Sequence, residues 1–193
     1  MTTPTVLIVP GLRDAVAQHW QTLLEAGLRA VGRAVASVPP LGRVELDRAS
    51  KVAAIERVAQ GVSGPIVIVA HSGGCIMVAH WAMRTTRAVH GALLAAPPDF
   101  ERAMPDDYPT LAQLDAAGWL PVPRQRLPFH SIVGASRDDP LADHDRVVDL
   151  AQAWGSELVD LGKVGHLNPA SGFGAWPRAD EFIARLSTRP ITA

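Results

Sequence analysis

An α/β fold, with a mainly parallel sheet and helices on both faces, follows from three features of the sequence. Short apolar, β-branched runs, among them Val6-Leu7-Ile8-Val9 and Ile66-Val67-Ile68-Val69, have the unbroken hydrophobicity of strands buried on both faces. Amphipathic helical stretches separate them. Pro or Gly punctuates the run ends. Strands alternating with helices build a parallel sheet through right-handed crossovers.

The elements read in order as follows. Thr5 to Val9 is a first strand, stopped by Pro10-Gly11. Val16, Trp20, Leu23, Leu24, Leu28 and Val31 recur at helical spacing, and Gly32 ends that helix. Ala34 to Val38 is a short second strand, broken by Pro39-Pro40. Val52, Ile55 and Val58 mark the next helix, which leads through Gly61 and Gly64-Pro65 into the strand at Ile66. Gly74 to Met83 is apolar on nearly every face and predicts a helix covered on all sides. Val89 to Ala96 is a fourth strand ending in Pro97-Pro98. The segment Asp99–Pro128 differs: with its border residue Pro98 it holds six of the 16 prolines, and only Leu111 to Ala117 looks helical. It reads as a rim or partial cap. Phe129 to Gly134 is a fifth strand, Leu141 to Trp154 a helix, and Glu157 to Leu161 a last strand. Pro177, suited to a first helical turn, opens a C-terminal helix bearing Phe182, Ile183 and Leu186.

The 193 residues predict one domain over 1–193, and 48% apolar with 19% charged residues suits a packed globule. The formal net charge is -1 and no stretch concentrates Lys or Arg, so neither a nucleic-acid nor a membrane-surface partner is expected. One cysteine, Cys75, excludes an intrachain disulfide and fits a reducing, cytoplasmic setting. The run Val6 to Val9 is too short for a signal-peptide core, and no window reaches the length of a membrane span. The sequence carries no feature that sets an oligomeric state.

Chemistry concentrates at Ala70-His71-Ser72-Gly73-Gly74, where the third strand turns into its helix. The pattern is that of a nucleophile elbow, G-x-S-x-G, with Ala70 in place of the first glycine. Small residues on both flanks let so tight a corner close. The plainer reading of these five residues alone is a Ser-Gly-Gly turn. In parallel sheets, ligands bind at the carboxyl ends of strands. That rule gathers the loops after Val9, His71, Ala96, Gly134 and Leu161 at one edge. The loop after the fifth strand carries Asp138 and Asp139, and the loop after the last carries His166. A serine hydroxyl becomes a nucleophile when an imidazole takes its proton, and the imidazole needs a carboxylate to fix its tautomer. The chain order Ser, Asp, His is that of α/β-hydrolases.

Each member has a bland alternative. Either acid could merely cap the next helix, and a loop histidine is more often a surface residue. His19, His80, His90, His130 and His144 lie in or beside predicted elements, and the ring of His71 is expected to face away from the serine and pack locally. No His/Asp/Cys cluster has metal-ligand spacing, so no metal is expected. Cys75 reads as core. An oxyanion requires donors, expected from the backbone N–H of Gly73 at the helix start and that of Leu12 after the first strand. An ordinary strand-ending turn would equally explain Pro10-Gly11.

With these residues assembled, the chain resembles the serine hydrolase family of retinoblastoma-binding protein 9 and its small bacterial relatives. The resemblance rests on Val9-Pro10-Gly11-Leu12, His19-Trp20-Gln21, Ala70-His71-Ser72, Ala95-Ala96-Pro97 and Ser136-Arg137-Asp138-Asp139-Pro140. It continues in Gly165-His166-Leu167-Asn168, Ser171-Gly172 and Trp176-Pro177, so it spans nearly the whole chain. It implies a compact α/β-hydrolase fold without a large cap domain and a Ser72–Asp139–His166 triad. Asp139, beside Pro140, stands at the family's usual acid position; Asp138 remains the alternative. Arg13-Asp14 occupy positions where many relatives have small residues.

The resulting expectation is a cofactor-free serine hydrolase acting on a small ester or amide through an acyl-enzyme. The alternatives are a binding protein with an unused triad, and an acyltransferase or perhydrolase on the same fold. A nucleotide binder is disfavoured, because the loop after the first strand has neither G-x-G-x-x-G nor a P-loop. Leu12, Trp20, the Asp99–Pro128 segment and Leu167 are expected to wall the substrate pocket and to favour a small, partly apolar acyl group.

Overall fold

The computed structural model describes residues 3–13, 16–42 and 44–188. Its elements run β1 (Thr5–Val9), α1 (Trp20–Ala30), β2 (Val35–Ser37), α2 (Arg48–Gly61), β3 (Ile66–His71), α3 (Gly73–Ala82) and β4 (Val89–Ala95). Then come α4 (Leu111–Ala116), β5 (Ser131–Ser136), α5 (His144–Trp154), β6 (Glu157–Gly162) and α6 (Arg178–Ser187), with a single 3-10 turn at Pro169–Ser171 before α6. Every strand pairing is parallel, in the order β2-β1-β3-β4-β5-β6. The order reverses between β1 and β3. Crossovers lead outward to opposite sides from that point, which opens a crevice beyond the strands' carboxyl ends.

Alternation along β1 assigns the two layers. Leu7 and Val9 face a core shared with α2, α3 and α5, while Val6 and Ile8 face Trp20, Leu24 and Leu28 of α1 and Phe182, Ile183 and Leu186 of α6. The central strands are therefore covered on both sides, and β3 is buried throughout. This is the physical source of their uninterrupted apolar runs. Helix α3 lies against β3, and nine of its ten residues are buried, as an all-round apolar helix requires. Among the described residues, no helix is long and apolar enough to cross a membrane.

Three elements depart from the sequence reading by two or more residues, each for a local reason. Helix α1 starts at Trp20 rather than near Val16, because Nδ1 of His19 accepts the Gln21 N–H at 3.2 Å and caps the helix there. Val16 lies before this cap and is exposed. Helix α5 starts at His144, not Leu141, since Oδ1 of Asp139 takes the Leu141 N–H at 2.9 Å and holds residues 139–143 as a turn. Strand β5 runs two residues later than expected because Ser136 still pairs, with Gly162 of β6.

The rim segment 99–128 is tied to α5 by charge and to the core by aromatic side chains. Arg146 pairs with Asp99 at 3.0 Å and Glu101 at 3.1 Å, and Arg124 also reaches Glu101, at 2.7 Å. Trp119 and Phe100 are buried against each other edge to face. The Trp119 indole donates to the Leu46 carbonyl at 2.8 Å.

Candidate active site

Ser72 sits between β3 and α3 with φ 55° and ψ -134°. A positive φ is uncommon for a side-chain-bearing residue and costs on the order of 1–3 kcal/mol, so the surroundings must impose it. They do so through two hydrogen bonds: the Ser72 N–H donates to the Ala95 carbonyl at 3.0 Å, and the Ser72 carbonyl accepts from Cys75 N–H at 2.8 Å. Ala96 (φ 49°) and Leu167 (φ 48°) are the other non-glycine residues described with positive φ, and both follow strands at this same edge. Gly74 is obligatory for a different reason. A Cβ there would lie 2.6 Å from the Pro10 carbonyl oxygen and 2.7 Å from that of Val9. Gly74→Ala is accordingly expected to cost about 1–3 kcal/mol of stability in urea unfolding, as overpacking does. An unchanged midpoint would mean that the Pro10 loop yields freely.

The structure brings Ser72, His166 and Asp139 together. Oγ of Ser72 is 2.7 Å from Nε2 of His166, and Nδ1 of His166 lies 2.8 Å and 3.0 Å from the two carboxylate oxygens of Asp139. The proton positions follow from the chemistry. A carboxylate only accepts, so Nδ1 carries the hydrogen, and Nε2 of the neutral ring accepts from the Ser72 hydroxyl. The side chains of His166 and Asp139 are 4% and 1% exposed, so the pair is shielded from water. Asp138 points elsewhere. Its Oδ1 accepts from the Gly165 N–H at 2.7 Å and from the Ser136 hydroxyl at 3.0 Å, splicing the β5 loop to the β6 loop. The Gly165 bond is the leading reason its carboxyl is held below the usual range. Neither acid caps α5, whose N-cap is Asp143.

His71 and His19 are closer to this site than their positions suggest. The ring of His71 does pack locally, yet its Nε2 lies 2.9 Å from the His166 carbonyl, and the two rings are 5.0 Å apart. His19 stands on its other side at 4.8 Å, and Trp20 meets His71 edge-on at 5.8 Å. Burial, with like charge from His166 next, pushes His71 well below the ordinary imidazole range and His19 down to about 4. His80 is likewise pushed down to about 4 by burial, against the Trp119 carbonyl. Unfolded, each of these rings would take up a proton near pH 6.5. The unfolded state therefore binds more protons between about pH 6.5 and 4, so stability falls as pH drops through that window. Urea midpoints measured from pH 8 to pH 4 are expected to fall below pH 6.5, and less steeply in His80→Gln. A flat profile would contradict the buried, neutral rings.

The loop after β1 covers the serine. A Cβ on Gly11 would meet Oγ of Ser72 at 3.5 Å, and one on Gly73 would meet Cγ of Leu12 at 2.7 Å. Gly73 opens α3, so its N–H is among those a helix leaves without an internal partner. A cavity of about 360 Å³ opens over Ser72 and His166, walled on its apolar side by Leu12, Leu46, Phe100, Met104, Tyr108 and Leu141. Leu12 and the rim segment thus line it as expected. Trp20 and Leu167 do not: both are buried in the layer beneath, Trp20 against Trp176 at 4.9 Å. Arg13 extends along the rim, bonds Asp107 at 2.9 Å and stacks 3.8 Å over the Tyr108 ring. Asp14 lies outside the described residues.

Three supporting residues were not singled out by chemistry in the sequence. The buried Gln21 amide donates to the carbonyls of Val9 (3.1 Å) and Val69 (3.0 Å), joining β1 and β3 below the crevice. Oγ of Ser171 accepts the His166 N–H at 3.0 Å, and Oδ1 of Asn168 accepts the Ser171 N–H at 2.9 Å. All three fall within the stretches that carry the family resemblance, which was the available signal. Buried Cys75, its thiol pushed well up by burial, is core. No group of three or more His, Cys, Asp or Glu among the described residues could hold a metal ion.

Known proteins share this arrangement of chain. A family model described as serine hydrolase matches residues 6–185. The crystal structure of a YdeN-like hydrolase from Pectobacterium atrosepticum is 29% identical, covers 97% of this chain and 94% of its own, and superposes with a TM-score of 0.77. The ydeN gene product of B. subtilis is 22% identical over 95% of this chain and 98% of its own, with a TM-score of 0.78. Est1E from Butyrivibrio proteoclasticus, in a structure with ferulic acid bound, shares the fold at 13% identity, covering 95% of this chain and 89% of its own with a TM-score of 0.67. No curated protein matches the chain.

Proposed function

The chain belongs to the serine hydrolase family whose model it matches over residues 6–185, and on that premise we propose that it hydrolyses a small ester or amide through an acyl-enzyme on Ser72. One observation carries the reading: the unbroken relay from Oγ of Ser72 to Nε2 of His166 at 2.7 Å and from Nδ1 to Asp139 at 2.8 Å. In the proposed reaction, Ser72 attacks the carbonyl while His166 takes its proton. Asp139 holds the ring in the tautomer that can accept, and stabilises the imidazolium. The N–H groups of Gly73 and Leu12 receive the oxyanion, the former aided by the positive end of α3. His166 then protonates the departing alcohol or amine, and a water activated by the same ring releases the acid. These steps use side chains, backbone and water alone.

The apolar wall of the cavity supports an apolar acyl or aryl group on the substrate. Est1E, of the same fold, holds an aromatic carboxylic acid. The test is the intact mass of the protein after exposure to a fluorophosphonate. A single stoichiometric adduct on the wild type is expected, and none on Ser72→Ala. Absence of an adduct on folded wild type would replace this reading with that of a binding protein on a hydrolase scaffold.

A further inference from the structure

We propose that His71 is a positioning residue for the base: its Nε2–H holds the backbone carbonyl of His166, locking the base loop to the strand that carries the nucleophile. The inference rests on the Ser72–His166 reading above and adds a residue that the triad does not include.

The contact joins two places 95 residues apart in sequence, at 2.9 Å and buried. A carbonyl can only accept, so the proton sits on Nε2 of His71. His71 is also the residue immediately before Ser72, so one side chain reaches from the nucleophile's own backbone to that of its base. The loop it holds needs holding. Gly165 (φ 53°) and Leu167 (φ 48°) flank His166, and the left-handed backbone at Leu167 is costly. On the opposite side, the His166 N–H is fixed by Oγ of Ser171. Both backbone polar groups of the base are therefore gripped by side chains rather than by sheet pairing. Loss of the His71 donor would leave a buried carbonyl unpaired, and the strained loop could relax at the 2.7 Å Ser72–His166 contact. The packing of His19 and Trp20 around His71 keeps its ring in place and dry. Burial keeps it neutral, so it grips the base without adding a positive charge beside it.

The test compares His71→Gln with His71→Met, side chains of nearly equal length that differ in having or lacking a terminal N–H donor. The readouts are the rate of Ser72 labelling by a fluorophosphonate, and kcat and KM on a short-chain aryl ester. His71→Met is expected to label about 10- to 100-fold more slowly than wild type, in keeping with the cost of small misplacements in a catalytic array. That loss should fall on kcat, with KM nearly constant. His71→Gln should stay within about threefold of wild type, since its amide restores the hydrogen bond. Equal losses in both variants, or none in either, would overturn the proposal. Should His71→Met fail to fold, His71→Gln decides alone. A wild-type melting temperature with a tenfold slower label would count against the proposal, and near-wild-type labelling would sustain it. Failure of the wild type itself to label would instead strike the proposed function, so the two failures are separable.

Discussion

Replacing Ser72 by alanine is expected to lower kcat on a small activated ester by on the order of 10⁶, the loss typical when a triad nucleophile is removed. The fold should be unaffected. Ser72 makes no side-chain cap bond to α3, and alanine tolerates φ 55° no worse than serine. The residual rate, about 10³–10⁴ over uncatalysed hydrolysis, would come from the oxyanion donors and substrate binding, which the substitution leaves in place. Steady-state kinetics on the purified variant, with its urea midpoint as control, measures this directly. A variant retaining more than about one part in a hundred of the wild-type rate would place the nucleophile elsewhere, since no general base or oxyanion effect alone approaches that level.

Asp139→Asn is expected to cost about 10⁴ in kcat, and the local hydrogen bonds explain why the charge is only part of the loss. Leu141 N–H donates to Oδ1 of Asp139 at 2.9 Å. In the asparagine variant this donor selects the amide oxygen, leaving the NH₂ to face Nδ1 of His166. Nδ1 must then accept, the ring proton moves to Nε2, and that nitrogen can no longer take the serine proton. Asp138→Asn provides the contrast. An asparagine oxygen can still accept from Gly165 and Ser136, so its kcat should change less than about tenfold, as for a lost charge at a loop splice. A large loss in Asp138→Asn with a mild one in Asp139→Asn would reverse the identity of the acid.

Much of the fold was legible in the sequence because the sheet is parallel and covered on both faces. Burial of β3 writes itself as an unbroken apolar run from Ile66 to Ala70, and α3 as a helix without a polar face. The central strands β1, β3, β4 and β5 and the carboxyl edge that gathers the candidate residues follow from such runs and their punctuation, whereas the edge strands β2 and β6 are only partly covered. Boundaries were less legible, since they are set by side-chain caps. A single bond from Gln21 N–H to His19 moves the start of α1 past Val16, and periodicity carries no trace of it. The pocket wall is only half legible for a related reason. Trp20 has the size and position of a wall residue, but the 76° edge contact with Trp176, far along the chain, draws it into the core. The histidine cluster was hardest to foresee. His19, His71 and His166 lie on three separate loops or strand ends, and only tertiary packing sets their rings about 5 Å apart. Sequence spacing could choose between Asp138 and Asp139 only by resemblance. Which carboxylate meets the imidazole depends on the turn that Asp139 makes with Leu141.

The rim segment divides into two parts with separate duties. Its rear portion, with Leu114, Trp119 and Val122, is welded into the core, while Met104, Asp107, Tyr108 and Pro109 at its front border the cavity. The groups proposed to react come from neither part: Ser72, Asp139 and His166 follow β3, β5 and β6. Appetite and chemistry are thus inherited through different stretches of chain. Under the proposed reaction, residues 104–109 can be rewritten to suit another acyl group while Ser72, Asp139 and His166 keep their places, so a new substrate preference needs only a few substitutions in one short stretch.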